Sequence, residues 1–330
     1  MKFKNLILII LFIFVLCQGI EFPQDKKAEK IIKNQYGFDS LFIFGSVPNS
    51  IAVVGDLQRT SILGRLLGNE QNDYERHKII NSIDSLHPGL LVILGDIVFQ
   101  GSDSDMWKDF DSLIFPINRD SIHTSAVIGN HDYYFNSRKG LKNFSERFPR
   151  FKYAHWYTQI YDSLALIFLD SNLEYYSAEE KQNQINWYSN LINDYDSTSS
   201  IKGIFVFMHH PPYSNKIITG DNPVVEKAFV PQFINTKKTL ALITGHAHTY
   251  ERFKINKKMF IISGGGGGPR VEVNQGEGTH KDLYDGDKVR PFNYLILQIK
   301  NSGVSISVIG LDKDSSDFFT MEKFLLPYSK

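Results

Sequence analysis

Three observations predict an α/β fold. Apolar runs of four to six residues recur without polar alternation, the pattern of strands buried on both faces. Helical stretches separate several of them, as crossover connections require. Five polar clusters each follow an apolar run: Gly55-Asp56, Gly95-Asp96, Gly129-Asn130-His131-Asp132, His209-His210-Pro211 and Gly245-His246-Ala247-His248.

The elements follow in order. Ile51 to Val54 is a β-rich run that ends at Gly55-Asp56. A helical stretch from about Asp73 to Leu86 is stopped by Pro88-Gly89. Leu90 to Leu94 leads into Gly95-Asp96, a helix is expected near Met106 to Phe115, and Ser125 to Ile128 leads into Gly129-Asn130. Leu164 to Leu169, a helix through Ala178 to Asn193, and Ile204 to Met208 before His209 continue the alternation. Leu240 to Thr244 precedes Gly245, and Phe260 to Ser263 precedes the glycine run Gly264 to Gly268. The tail changes style, with closely spaced β-like runs at Tyr294 to Ile299, Val304 to Ile309 and Phe318 to Leu326, expected to be antiparallel.

The 330 residues can bury a full core, and formal net charge is zero with no basic block. Capture of nucleic acid by electrostatics is therefore not expected. Lys2 and Lys4 followed by the apolar stretch Leu6 to Leu16 read as a secretory signal, with small residues Cys17 and Gly19 before a cut that leaves Ile20 first. The stretch is short for a bilayer span, so no stable membrane span is expected after cleavage. Export to a secreted or periplasmic location follows, with lipid attachment at Cys17 as the alternative. Cys17 is the only cysteine, so the cleaved chain would be stable without disulfides. Residues 20–45 read as a polar lead-in, with a short helical pattern near Ala28 to Asn34.

Asp, Asn and His are the oxygen and nitrogen donors that borderline divalent metals take. At the carboxyl ends of strands in an open sheet they would converge on one edge, where α/β folds bind ligands. Gly-Asp pairs alone are cheap. With 24 Gly and 10 His in the chain, Gly-His-x-His is expected by chance only about 0.02 times. Five clusters supply enough donors for two metals side by side, a standard device for phosphate-ester hydrolysis.

In order and content these clusters resemble the five blocks of the calcineurin-like metallophosphoesterases. Gly245-His246-Ala247-His248-Thr249-Tyr250-Glu251-Arg252, His209-His210-Pro211-Pro212-Tyr213-Ser214 and the glycine run resemble purple acid phosphatases more narrowly, in the compact form of the tartrate-resistant acid phosphatases. The resemblance spans about residues 50–310. It implies a four-layer αββα sandwich of two mixed β-sheets, in a single catalytic domain over 46–330. It also implies two divalent ions (Mn, Zn or Fe), bridged by Asp96 and a water or hydroxide. Asp56 and His248 would complete one site, and Asn130, His209 and His246 the other. His131 would be the catalytic histidine. Asp132 would orient it, or else cap a helix or turn.

Two positions depart from that pattern. Where relatives carry a His two residues after the first Asp, this chain has Gln58; where they carry a Tyr three residues after the second, it has Phe99. Gln58 can offer a neutral amide oxygen as a weaker ligand. Phe99 offers none, so no purple tyrosinate–iron colour is expected, and the less anionic site argues for divalent ions over Fe(III). Arg59, His210 and Tyr213 are candidate substrate contacts. A surface role for Arg59, a turn position for His210 and packing for Tyr213 are the competing readings. Tyr133 and Tyr134 are weighed in the same way, between stacking on a leaving group and packing. Loops over 100–106, 133–150, 212–227 and 264–290 would set specificity, the glycine run acting either as a phosphate cradle or as a flexible turn. The expected partner is a small-molecule phosphate ester, and the leading activity is phosphomonoester hydrolysis. A phosphodiesterase or nucleotide hydrolase, and a secreted metal-containing binding protein without turnover, are the alternatives.

Overall fold

The computed structural model describes residues 49–329 apart from 218–219, 277–278 and 313. The signal peptide, the lead-in and Cys17 lie outside the described residues. Among those residues, no helix is long and apolar enough to cross a membrane.

Among the described residues, twelve strands form two six-stranded mixed sheets. The first contains β1 (Ser50–Val54), β2 (Leu90–Ile93), β3 (Thr124–Ala126), β10 (Asn293–Lys300), β11 (Gly303–Leu311) and β12 (Phe318–Pro327), in the order β12-β11-β10-β1-β2-β3. The second contains β4 (Tyr157–Tyr161), β5 (Leu164–Phe168), β6 (Gly203–Met208), β7 (Thr239–Thr244), β8 (Tyr250–Ile255) and β9 (Lys258–Ser263), in the order β4-β5-β6-β7-β9-β8. β1, β2 and β3 run parallel, as do β5, β6, β7 and β9, while β10 to β12 are antiparallel as expected.

Side-chain alternation shows the layers. From β5, Leu164, Leu166 and Phe168 enter the core shared with β1, β2 and β10, whereas Ala165 and Ile167 join a second core. β6 does the same: Phe205 and Phe207 point between the sheets, and Ile204, Val206 and Met208 point outward. The outward set packs on Trp187, Tyr188, Leu191 and Ile192, and on Val225, Phe229 and Phe233. These belong to long helices, Ala178–Ser197 and Pro223–Asn235. Helices at Asp73–Ser85 and Ser104–Leu113 bury Ile79, Ile80, Ile83, Trp107 and Phe110 against the first sheet's core. This is the αββα arrangement.

Local sequence explains the helix starts. Ser177 and Glu180 form a reciprocal capping box, and Asp103 accepts the amides of Asp105 and Met106. Of the stretches expected to be loops, 133–150 contains a helix, Ser137–Arg147, and 212–227 runs into another, Pro223–Asn235, opened by an Asn222 cap and a proline in its first turn.

Candidate metal centre

All five polar clusters lie just beyond the carboxyl ends of strands. Asp56 follows β1, Asp96 follows β2, Asn130 and His131 follow β3, His209 follows β6, and His246 and His248 follow β7. The first sheet thus supplies two carboxylates and an amide, and the second supplies three imidazoles. Loop-to-loop backbone bonds hold the ends together: Asp56 N to Gly95 O (3.1 Å), Gln58 N to Asp96 O (3.0 Å) and Gly245 N to His209 O (3.1 Å).

Four candidate ligands sit in left-handed backbone conformations: Asp56 (φ 59°), Asp96 (φ 50°), His246 (φ 68°) and His248 (φ 51°). Non-glycine residues are uncommon there, and such strain persists only where surrounding contacts enforce it. One enforcing contact is the Asp56 carboxylate, whose Oδ2 accepts the His246 amide at 2.8 Å.

The donors fall into two groups that share Asp96. In the first, Asn130 Oδ1 lies 3.1 Å from both His209 Nε2 and His246 Nδ1, which are 3.2 Å apart, and His209 Nε2 is 3.3 Å from Asp96 Oδ2. In the second, His248 Nε2 lies 3.5 Å from Asp56 Oδ1 and 3.0 Å from the Gln58 amide, which is 3.5 Å from Asp96 Oδ2. The hydrogen-bond partners of the other atoms decide which way the lone pairs point. His209 Nδ1 faces the Leu94 carbonyl at 2.7 Å, and His248 Nδ1 faces that of Pro269 at 2.9 Å. Each Nδ1–H donates outward and turns Nε2 to the site, where the neutral ring offers its lone pair. Asn130 Nδ2 donates to Tyr134 Oη at 2.9 Å, which turns Oδ1 inward. Acceptors facing one another at about 3 Å repel unless a cation lies between them, and that separation is the edge of a coordination polyhedron with bonds of about 2.1 Å. The donor set therefore fits metal ions.

Gln58 has two amide orientations. Its Oε1 can face His248 Nε2, with Nε2–H donating to the Asp96 carbonyl, or the reverse. Only the first presents an oxygen ligand.

Electrostatics agree with this reading. Burial opposes charge on His209, but Asp96 outweighs it and raises the imidazole to about 9. Burial likewise opposes ionisation of Asp96, yet His209, His131 and His246 together hold its carboxyl below the ordinary range. Burial drives His210 and His248 down to about 3, aided by the charges of His209 and Lys216 respectively, and pushes His246 well below its usual value. His210, His246 and His248 are thus neutral donors at ordinary pH. Metal binding must release the proton that His209 holds beside Asp96.

His131 Nδ1 faces the Phe99 carbonyl at 2.9 Å, so Nε2 points to the site, 3.9 Å from Asp96 Oδ2. Phe99 thus contributes a backbone carbonyl where its side chain has no donor. The Asp132 carboxylate is fully buried and accepts the amides of Ile97 (3.0 Å), Val98 (3.3 Å) and Gly129 (2.9 Å). Burial, with Asp96 nearby, raises it to about 7.

The candidate substrate contacts are dispersed. Arg59 is half exposed and ion-paired to Asp73 and Asp109. Tyr213 packs edge-on against Phe260 and His280, with its hydroxyl on Glu226. His210 is buried, not a surface turn residue: Ser171 Oγ meets both its amide (2.9 Å) and its Nδ1 (3.0 Å), and its ring lies 4.4 Å from that of His246. Tyr133 is a packing residue, stacked on Tyr175, whereas Tyr134 lies 4.3 Å from the His131 ring. The glycine run is neither a flexible turn nor a cradle. It is buried behind the ligands, and a Cβ on Gly264 would stand 2.7 Å from Asp56 Oδ2.

Two residues not singled out from sequence matter here. Glu251, buried, accepts Ser214 Oγ (2.9 Å) and the Asn215 amide (2.8 Å), fixing the loop after Pro212. Lys216 follows on that loop. Burial raises the Glu251 carboxyl from 4.5 to about 7, partly offset by those two donors. For an acid raised on folding, the associated stability is fully present below the unfolded value and is lost as pH rises through the folded one. Glu251→Gln should remove this term. Chemical denaturation across about pH 4.5 to 8 should show the variant gaining on the parent as pH rises; a constant difference would contradict the assignment.

Residues 50–250 match the sequence model of the calcineurin-like phosphoesterases. No curated protein matches the sequence. Among solved structures, purple acid phosphatase PPD1 from yellow lupin (Lupinus luteus) superposes with a TM-score of 0.65 at 17% identity, over 86% of this chain and 54% of that one. This chain thus spans about half the lupin protein's length. GAP50, the anchor in the inner membrane complex of Plasmodium, gives 0.64 at 16% identity, over 85% and 89% of the two chains. A dimetal phosphatase from Danio rerio gives 0.58 at 14%, over 85% and 99%. At such identities these likenesses speak for the fold alone.

Proposed function

The chain belongs to the calcineurin-like phosphoesterase family, whose domain works through a dinuclear metal centre, and we propose that it hydrolyses phosphate monoesters. The observation that carries this reading is the convergence of inward-facing acceptors from both sheets on Asp96. Asn130, His209 and His246 would hold one divalent ion, Asp56, His248 and the Gln58 oxygen the other, and Asp96 both. Bound there, the ions supply Lewis acidity and an activated water.

The protein's own groups do the rest. His131, with Nδ1–H committed to Phe99, presents Nε2 to the phosphoryl group and is placed to give a proton to the departing oxygen. Tyr134 orients Asn130, and Ser171 orients His210. The neutral Gln58 and Phe99 favour Mn²⁺, Zn²⁺ or Fe²⁺ over Fe(III). The basic and apolar amino-terminal stretch, read as a signal, supports export.

The test is hydrolysis of p-nitrophenyl phosphate and bis-p-nitrophenyl phosphate by protein stripped of metal and reloaded with Mn²⁺, Zn²⁺ or Fe²⁺. We expect metal-dependent turnover, faster on the monoester, that falls about 10²- to 10⁴-fold in His131→Ala. A faster diester rate would make the enzyme a phosphodiesterase. Bound metal without turnover on either ester would favour a binding role, the reading that the departures at Gln58 and Phe99 leave open.

A further inference from the structure

We propose that Lys216 is a substrate-binding residue that anchors the terminal phosphoryl group and favours dianionic monoesters over diesters. The inference rests on the phosphoesterase reading above and deepens it.

Three observations carry it. First, Lys216 reaches the metal-ligand loops: its Nζ donates to the carbonyl of His246 at 3.4 Å. Second, among the described residues no carboxylate contacts its ammonium directly, although Asp56, Asp96 and Glu251 are near enough to favour its charge. Its side chain is partly buried. A partly buried ammonium that no carboxylate contacts directly keeps its N–H donors available to an anion. Third, its backbone is fixed on several sides. The amide of Lys216 donates to Ser214 Oγ at 3.1 Å, and both Ser214 and Asn215 are held by the buried Glu251. Asn215 Nδ2 and Oδ1 clasp the backbone of His280, and the Asn215 carbonyl accepts the amide of Asn274. Lys216 itself bridges to Val273. The stem is therefore anchored while the head stays at the site, the arrangement expected of a preorganised anion contact.

The electrostatics are consistent with that position. Burial lowers the Lys216 ammonium, while Asp56, Asp96 and Glu251 raise it. Its positive charge is in turn felt at Asp56, His246 and His248.

Selectivity follows from charge and valence. Coulomb attraction scales with the product of charges, so a monoester dianion gains about twice what a diester monoanion gains. A terminal phosphoryl group also offers one more non-bridging oxygen than a diester to the N–H donors of Lys216 that His246 does not take.

The test compares Lys216→Met, which keeps the stem and removes the charge, with Lys216→Arg. In Lys216→Met, kcat/KM for p-nitrophenyl phosphate should fall about 10- to 100-fold, while that for bis-p-nitrophenyl phosphate changes less than about threefold. Lys216→Arg should recover most of the loss. By calorimetry on metal-loaded protein, inorganic phosphate should bind about 10-fold or more weakly in Lys216→Met, with dimethyl phosphate little changed. Equal losses on both esters, or unchanged phosphate affinity, would overturn the proposal and leave Lys216 as a cap on the His246 carbonyl. Absence of wild-type turnover on either ester would instead defeat the phosphoesterase reading. The phosphate calorimetry decides the role of Lys216 in that case too.

Discussion

Replacing Asp96 with Asn should lower turnover by about 10³-fold or more and leave fewer than two metal ions per chain, because it removes the one charge that both donor groups share. The substitution is nearly isosteric. An amide oxygen can still accept the His131 amide, which Asp96 Oδ1 takes at 2.8 Å, so the loop should keep its shape. What disappears is the anion beside His209 (3.3 Å) and beside the Gln58 amide (3.5 Å). Two divalent ions would then face each other with only Asp56 to offset their charge, and the weaker site should empty first. The second group relies on the neutral Gln58, so it is the expected loser. Metal analysis by mass spectrometry alongside steady-state kinetics checks this. Retention of two ions with turnover within tenfold of wild type would remove Asp96 from the shared position.

The second large effect is on stability. Asp132→Ala leaves three buried amides, those of Ile97, Val98 and Gly129, without their acceptor. Each orphaned donor costs about 1–3 kcal/mol, so a loss of about 3–6 kcal/mol is expected once the relief of burying a carboxylate is set against it. That is a large share of a typical folding free energy of about 5–15 kcal/mol. The same carboxylate ties the segment after Asp96 to the turn that carries Asn130 and His131, so metal affinity should fall with stability. Asp132→Asn should lie between the two, since its oxygen can serve Ile97 and Val98 while its NH₂ confronts the Gly129 amide. Denaturant midpoints measure the series. A loss below about 1 kcal/mol in the Ala variant would show that the backbone reorganises to satisfy itself.

Sequence alone reveals every strand of the first sheet, but in the second sheet the centre better than the edges. β1, β2, β6 and β7 are legible because strands buried on both faces read as unbroken apolar runs, and each is followed by a polar cluster. β4, Tyr-Thr-Gln-Ile-Tyr, and β8, Tyr-Glu-Arg-Phe-Lys-Ile, escape because they are sheet edges that mix polar and apolar residues. The donors Asp56, Asp96, Asn130, His209, His246 and His248 are legible because their chemistry repeats at strand ends. Arg59 and Tyr213 illustrate the limit: closeness in sequence to a ligand does not decide whether a side chain turns to the site or to Asp73 and Phe260. Lys216 is invisible for a related reason. The loop 212–227 can be named as specificity-determining, but one lysine in it carries no pattern until Glu251, far along the chain, is seen to hold it.

The division of donors between the sheets also sets an order of events. Asp56, Asp96 and Asn130 are synthesised early, yet their partners His246 and His248 emerge nearly two hundred residues after Asp56. The sheet that holds Asp56 is itself finished only when β10, β11 and β12 add to β1 in turn. A nascent chain can therefore offer isolated donors but no pair of pockets. Two complete pockets exist only once the two sheets have met, so metal capture is expected to follow folding rather than start it.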